Sequence, residues 1–397
     1  MRTRFSFEQI EVKCAKRIYL YFIKPKCKSS LKKRMDRFVP ITLFKKLLMT
    51  LSLLPALFSL FVISKSYSQK TVQVEVITSG TNTSLRGMSI PTDKVIWVSG
   101  SNGTIAKSAD AGHTWHWMIV PGFEKRDFRD IEAFDSSTAI AMAADNPAII
   151  VKTTDGGTTW KKVFERRQEG MFLDAMDFKN KKEGICIGDP LDLEQTNRKR
   201  FYIIRTFDSG DTWKEIPSDQ MPIAKTGEAI FAASGSNISF LNNADFEYGF
   251  VTGGAVSNLY LIAREGKKNK IVNIPVAQGK ETAGTFSMAT DTQKNIYCIG
   301  GDYKAPQNNF HNYAFTKNAG VTWDSAKTTP PFGYRSCIRI INHETLIACG
   351  PTGVDFAHNG HKEWKKISPE GFNVCMAGKR KQVFFAGEKG KIGKLIY

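Results

Sequence analysis

The stretch VKTTDGGTTWKKV, Val151 to Val163, sets two Gly, one Asp and four Thr ahead of a Trp. Read alone, it fits a loop with Asp155 as a reacting carboxylate or a structural turn, and repetition decides between them. Close copies end at Trp115 (KSADAGHTW), Trp213 (RTFDSGDTW) and Trp323 (FTKNAGVTW), so Asp155 has counterparts at Asp110, Asp208 and Asn318. A weaker copy, DFAHNGHKEW, puts Asn359 five residues before Trp364. The first three Asp lie 45 and 53 residues apart, and the 110 residues between Asp208 and Asn318 hold two repeats, one of which has lost its turn. A catalytic group is rarely supplied in equivalent copies, so these residues are expected to be structural.

Each copy follows a β-branched or aromatic run (AIIVKT, FYIIRT, NYAFTK) and precedes a return strand. The Asp side chain is expected to accept backbone N–H groups two residues on. Gly157, Gly210 and Gly320 supply a positive φ, and Trp115, Trp160, Trp213 and Trp323 anchor the hairpin on the core. Between these hairpins a second two-strand unit recurs, as in DIEAFDSSTAIAMAADN and RSCIRIINHETLIACGPTG. Together they make four antiparallel strands, the unit of a propeller blade. The expectation is therefore all-β, a seven-bladed β-propeller with blades near 86–120, 128–166, 171–217, 227–277, 283–327 and 334–368. A seventh blade joins 372–397 to VQVEVI, Val72 to Ile77, and closes the ring by pairing N- and C-terminal strands.

The formal charge of +18 is concentrated at one end. Residues 1–68 carry 15 Lys or Arg against 3 Asp or Glu; subtracting these from totals of 56 and 38 leaves a body with 41 basic and 35 acidic groups. No aromatic residues interleave with the basic ones as in a single-strand binding surface, so nucleic acid is not an expected partner. Lys45 and Lys46 precede the apolar run Leu47 to Ile63, and Ser66 and Ser68 sit where a signal peptidase reads. An exported chain, periplasmic or extracellular and cleaved between Ser68 and Gln69, is expected. The alternative is a retained anchor, because 17 apolar residues approach the length of a span. The basic prefix is longer than an ordinary leader, with Met35 as a candidate start. Domain organisation is thus 1–68, an extension plus signal peptide, and 69–397, one propeller expected to be monomeric.

Cys14 and Cys27 lie in the prefix, and Cys186, Cys298, Cys337, Cys349 and Cys375 in the body. The spacing matches no zinc motif, and four of the five body Cys sit in apolar strand contexts, where a buried thiol is expected. His113 and His116 are expected at the surface. SGSNG, residues 99–103, lacks the G-x-G-x-x-G spacing of a dinucleotide fold, and no haem or iron–sulfur ligand set is visible. No metal or cofactor is expected.

The repeated turns mark one face of the disc, and unequal loops mark the other, where function is usually grafted. Inner-strand entries there carry Arg86, Asp127, Arg129, Asp130, Asp174, Glu228, Tyr334 and Arg335; loops between second and third strands carry Asn146, Asp189, Asp302, Tyr303 and Glu388. The functional reading makes Arg86, Arg129 and Arg335 an anion-binding cluster. The bland reading pairs Arg129 with Asp130 and Arg335 with Asp302 at the channel mouth.

The repeated turn resembles the Asp box, S/T-x-D-x-G-x-x-W, of bacterial sialidases and related propellers. That resemblance implies a glycosidase on anionic glycans, with the three Arg holding a carboxylate, Tyr303 or Tyr334 as nucleophile, Glu228 assisting and Asp174 as acid/base; the F/Y-R-I-P entry motif is absent. Across nearly the whole mature chain, FRDIEAFD, GYRSCI and the Gly-terminated second strands resemble the photosystem II stability and assembly factor family. This second resemblance implies an exported assembly scaffold whose Arg-bearing face, here Arg86, Arg129 and Arg335, holds a partner protein. An oxidoreductase label, which some relatives carry, would lack a cofactor site. Scaffold is the leading expectation and glycosidase the alternative.

Overall fold

In the computed structural model, residues 72–291, 295–326, 328–342, 344–358 and 363–397 are described. The prefix, the stretch expected to be a signal segment cleaved after Ser68, and the weak sequence copy around Asn359 lie outside them.

Strands of this chain rarely alternate apolar with polar, because each blade is packed on both faces. Ala148–Thr153 is buried at every position, as is Ile96–Gly100. Ile140 and Met142 of the second blade meet Met176, Cys186, Tyr202 and Trp213 of the third in one apolar layer, and comparable layers fill the other blade interfaces.

The architecture is all-β, with seven four-stranded antiparallel blades in a ring and only two short 3-10 turns among the described residues. Innermost strands are Leu85–Ser89, Phe128–Ala133, Leu173–Phe178, Ile238–Phe240, Ala283–Thr290, Cys337–Asn342 and Val374–Ala377. Each contacts the next, and the last contacts the first. Gln73–Thr78 pairs with Ile392–Ile396, Gln73 opposite Ile396, so the seventh blade is built from both ends of the propeller. Closure completes the seventh blade, so that the edges left among the described residues are the short outermost strands.

The fourth blade differs from expectation. Its inner strand is Ile238–Phe240, while Glu228–Ala229, expected to fill that place, pairs with Gly253–Gly254 and extends the inner edge of the fifth sheet. The crossing relies on backbone contact: a Cβ on Gly253 would lie 2.7 Å from Gly284 Cα. Both candidate segments are too short for periodicity to separate them.

The four repeated turns share one hydrogen-bond pattern, and it corrects the expected one. Thr159, four residues beyond Asp155, donates its N–H (2.9 Å) and its hydroxyl (2.6 Å) to the carboxylate; Thr153 Oγ1 donates to Asp155 Oδ1 at 2.9 Å. Gly157 N–H, two residues beyond the Asp, donates to Thr153 Oγ1 instead. Asp110 and Asp208 repeat this with Ser108/Thr114 and Thr206/Thr212. At Asn318 the amide oxygen accepts from Thr322 N while its Nδ2 donates to Thr322 Oγ1. The Gly of each turn has positive φ and abuts the preceding blade: Gly112 faces Phe384, Gly157 Met118, Gly210 Ile140 and Gly320 Val272. Trp160 stands edge-on to Trp97 and Trp213 to Phe178.

Candidate functional site

On the face opposite the repeated turns, a pocket of about 570 Å³ opens at the mouth of the central channel. Entries of inner strands and loops between second and third strands form its wall. Phe231 and Phe286 lie stacked with centroids 3.9 Å apart, Tyr334 stands edge-on to Phe286 at 4.7 Å, and Tyr303 caps the group at 6.2 Å. In the same pocket, Arg86 lies 3.8 Å from Glu388, and Arg129 pairs with Asp127 at 2.6 Å and donates to Ala232 O. Burial and the nearby Arg129 charge both weaken the hold of Arg86 on its proton, with Asp127 and Glu388 opposing. Two guanidinium groups, each about a quarter exposed, thus line the same pocket as the rings. Such a site can receive a negative group and an apolar side chain together.

The structure separates the sequence-derived candidates. Arg86, Arg129 and Tyr303 line the pocket. Arg335 does not: it is fully buried, pairs with Asp355 at 2.8 Å, and gives three further donors to Tyr334 O, Thr352 Oγ1 and Phe332 O. The expected cluster of three Arg is therefore a pair. Nor do the bland pairings occur as expected, since Arg129 meets Asp127 rather than Asp130, and Arg335 meets Asp355 rather than Asp302.

Acidic candidates are engaged elsewhere. Glu228 accepts from Thr252, Asn258, Tyr260 and Lys225 N, which anchors the rerouted segment before the fourth blade. Asp302 accepts from Thr282 Oγ1 and Lys304 N at the root of the loop that carries Tyr303. Asp189 accepts from Ile230 N, and burial raises it to about 6. Asp174 is fully buried, and burial together with Asp189 pushes it well above the usual carboxylate range. Asp174 and Glu228 are absent from the wall that Tyr303 lines, so the three residues required of a glycosidase do not share this pocket.

Beneath the pocket, side chains tie one inner strand to the next. Ala133 N donates to Ser89 Oγ, Met176 N to Asp130 Oδ2, Phe240 N to Asp177 Oδ2 and Ile338 N to Ser287 Oγ; Asn373 Nδ2 donates to Leu85 O across the closure. These bonds satisfy the channel-facing backbone that would otherwise lack partners. Asp130 belongs to this layer rather than to the pocket, with its pKa raised to about 7 by burial against its two backbone hydrogen bonds. Sequence reading missed Glu132, Asp177 and Arg339 in the same channel and the Phe231–Phe286 floor. A visible signal existed for the first group: charged residues at inner-strand positions in FRDIEAF, LDAMDF and CIRI.

Fold and site together define a seven-bladed β-propeller with an arginine-and-aromatic pocket at one channel mouth. Among solved structures, it is similar to YCF48 bound to D1 peptide, with 17% identity, TM-score 0.56 and coverage of 82% of this chain and 97% of that one. YCF48 from Cyanidioschyzon merolae gives 15% identity, TM-score 0.57 and coverage of 81% and 98%. The WD40 propeller domain of Doa1 gives 11%, 0.52, 82% and 97%. At these identities the likeness is one of fold. No family model matches the chain, and no curated protein matches it.

Proposed function

We propose that this chain is an exported, monomeric propeller scaffold, of the Asp-box type and similar to photosystem II assembly factors, that captures a segment of a partner protein in the channel-mouth pocket. The observation that carries the reading is the meeting of Arg86 and Arg129 with the Phe231, Phe286, Tyr303 and Tyr334 rings in one cavity. An acidic residue engages the guanidinium wall, and a neighbouring apolar side chain settles on the rings. A YCF48 of the same fold has a structure with a D1 peptide, which supports a peptide rather than a glycan as ligand class. Export rests on the signal-like segment ending at Ser68.

The test is capture of partners from the envelope fraction of the native cell by immobilised wild-type protein and by Arg86→Ala/Arg129→Ala. The double variant should keep its melting temperature and lose at least tenfold in captured partner; equal capture would overturn the proposal. Release of sugar from anionic glycans, abolished by Tyr303→Phe, would replace it with the glycosidase.

A further inference from the structure

Three of the five body thiols meet on one side of the channel. Cys337 and Cys349 are direct register partners on the first two strands of the sixth blade, and Cys375 lies on the inner strand of the seventh. All three are fully buried thiols in the same apolar cluster. They sit just below the pocket, because Ser336, Pro351 and Asn373, one or two residues away in sequence, form part of its wall.

Register partners in an antiparallel pair project from the same face, with Cα atoms about 4.5–5.5 Å apart. That separation lies within the range a disulfide spans. Cys375, by contrast, is opposite Phe385 in its own blade, and the Cys337 thiol meets its carbonyl oxygen at 3.4 Å. We propose that Cys337 and Cys349 are a latent redox pair, closed to a cross-strand disulfide by a disulfide oxidant.

The reaction balances as a thiol–disulfide exchange. Cys337 thiolate attacks one sulfur of the oxidant and expels the first thiolate, leaving a mixed disulfide. Cys349 loses its proton and attacks the Cys337 sulfur, expelling the second. The chain gives up two protons and two electrons, and the oxidant leaves as two thiols. Burial opposes ionisation of Cys337, but hydrogen bonds with the Cys349 and Cys375 thiols and the Arg339 charge hold it well below the ordinary thiol range. Cys349 and Cys375 are pushed up by burial, which makes Cys337 the attacking group.

The experiment exposes the folded full-length chain to oxidised glutathione, blocks remaining thiols with an alkylating agent in denaturant, and maps the digest by mass spectrometry. Expected is a Cys337–Cys349 linked peptide pair lacking two hydrogens, absent after dithiothreitol. Cys375→Ser should retain the link, and Cys349→Ser should stop at a glutathione adduct on Cys337. Recovery of Cys337 and Cys349 as alkylated thiols in the wild-type chain, or a link from Cys337 to Cys375, would overturn the proposal, and the wild-type map alone decides it whether or not the variants fold.

Discussion

Asp130 of the second blade accepts the backbone N–H of Met176 in the third at 2.7 Å, and that of Ile131 in its own strand at 2.8 Å. One buried carboxyl group therefore holds two blades in register around the channel. Asp130→Ala leaves two buried donors without partners, and at roughly 1–3 kcal/mol for each orphaned group the expected loss is about 2–6 kcal/mol, read as a lower urea midpoint.

The raised pKa of Asp130 adds a pH signature. A carboxyl whose folded pKa stands above its unfolded value binds more protons when folded, so its contribution is complete below about pH 4 and is lost as pH rises through about 7. Urea titrations from pH 4 to 8 should show wild type losing stability relative to Asp130→Asn across that window. Parallel curves would remove Asp130 as the source.

Asp155 has the opposite sign. The Thr159 hydroxyl and backbone hold its pKa at about 2, so its stabilisation is present above about pH 4 and disappears as pH falls toward 2. Asp155→Ala should lower the melting temperature at pH 7 while leaving partner capture per folded molecule unchanged. Asp155→Asn should keep most of the turn, as Asn318 does in the fifth blade, and should flatten the acid limb of the melting curve.

Gly157→Ala is expected to destabilise by more than about 1 kcal/mol, because alanine must adopt a positive φ and its methyl group would overlap Met118 Sδ in the first blade. Adding Met118→Ala should recover the overlap but not the backbone strain, which a double-mutant cycle in urea separates.

Arg335 and Arg129 should part company when each is replaced by Ala. Removing Arg335 strands the fully buried Asp355, a change worth about 3–5 kcal/mol, and should appear as poor soluble yield and a large fall in melting temperature. Arg129→Ala, at a partly exposed pair, should melt within a few degrees of wild type and weaken capture. Similar melting of the two variants would contradict the buried ion pair.

The repeated D/N-x-G-x-x-W turns and the pairing of Val72–Ile77 with the C-terminal strand were legible because hairpin chemistry is local and blade length is periodic. Arg86, Arg129 and Tyr303, read from separate strand entries and loops, line one pocket in the structure. What the sequence by itself determined was thus the blade unit, its number and the face that carries the unequal loops. Which of Glu228–Ala229 and Ile238–Phe240 becomes an inner strand was decided only in three dimensions, by a glycine–glycine contact with the fifth blade. The division of labour among the charged residues was likewise tertiary. Arg335 reads like Arg129 in sequence, but Asp355, twenty residues on, draws it into the core, whereas Arg129 finds only Asp127 and a carbonyl and keeps an edge toward solvent. A charged side chain follows the partner that desolvates it, and for these residues that partner is set by how neighbouring strands and loops close around the ring.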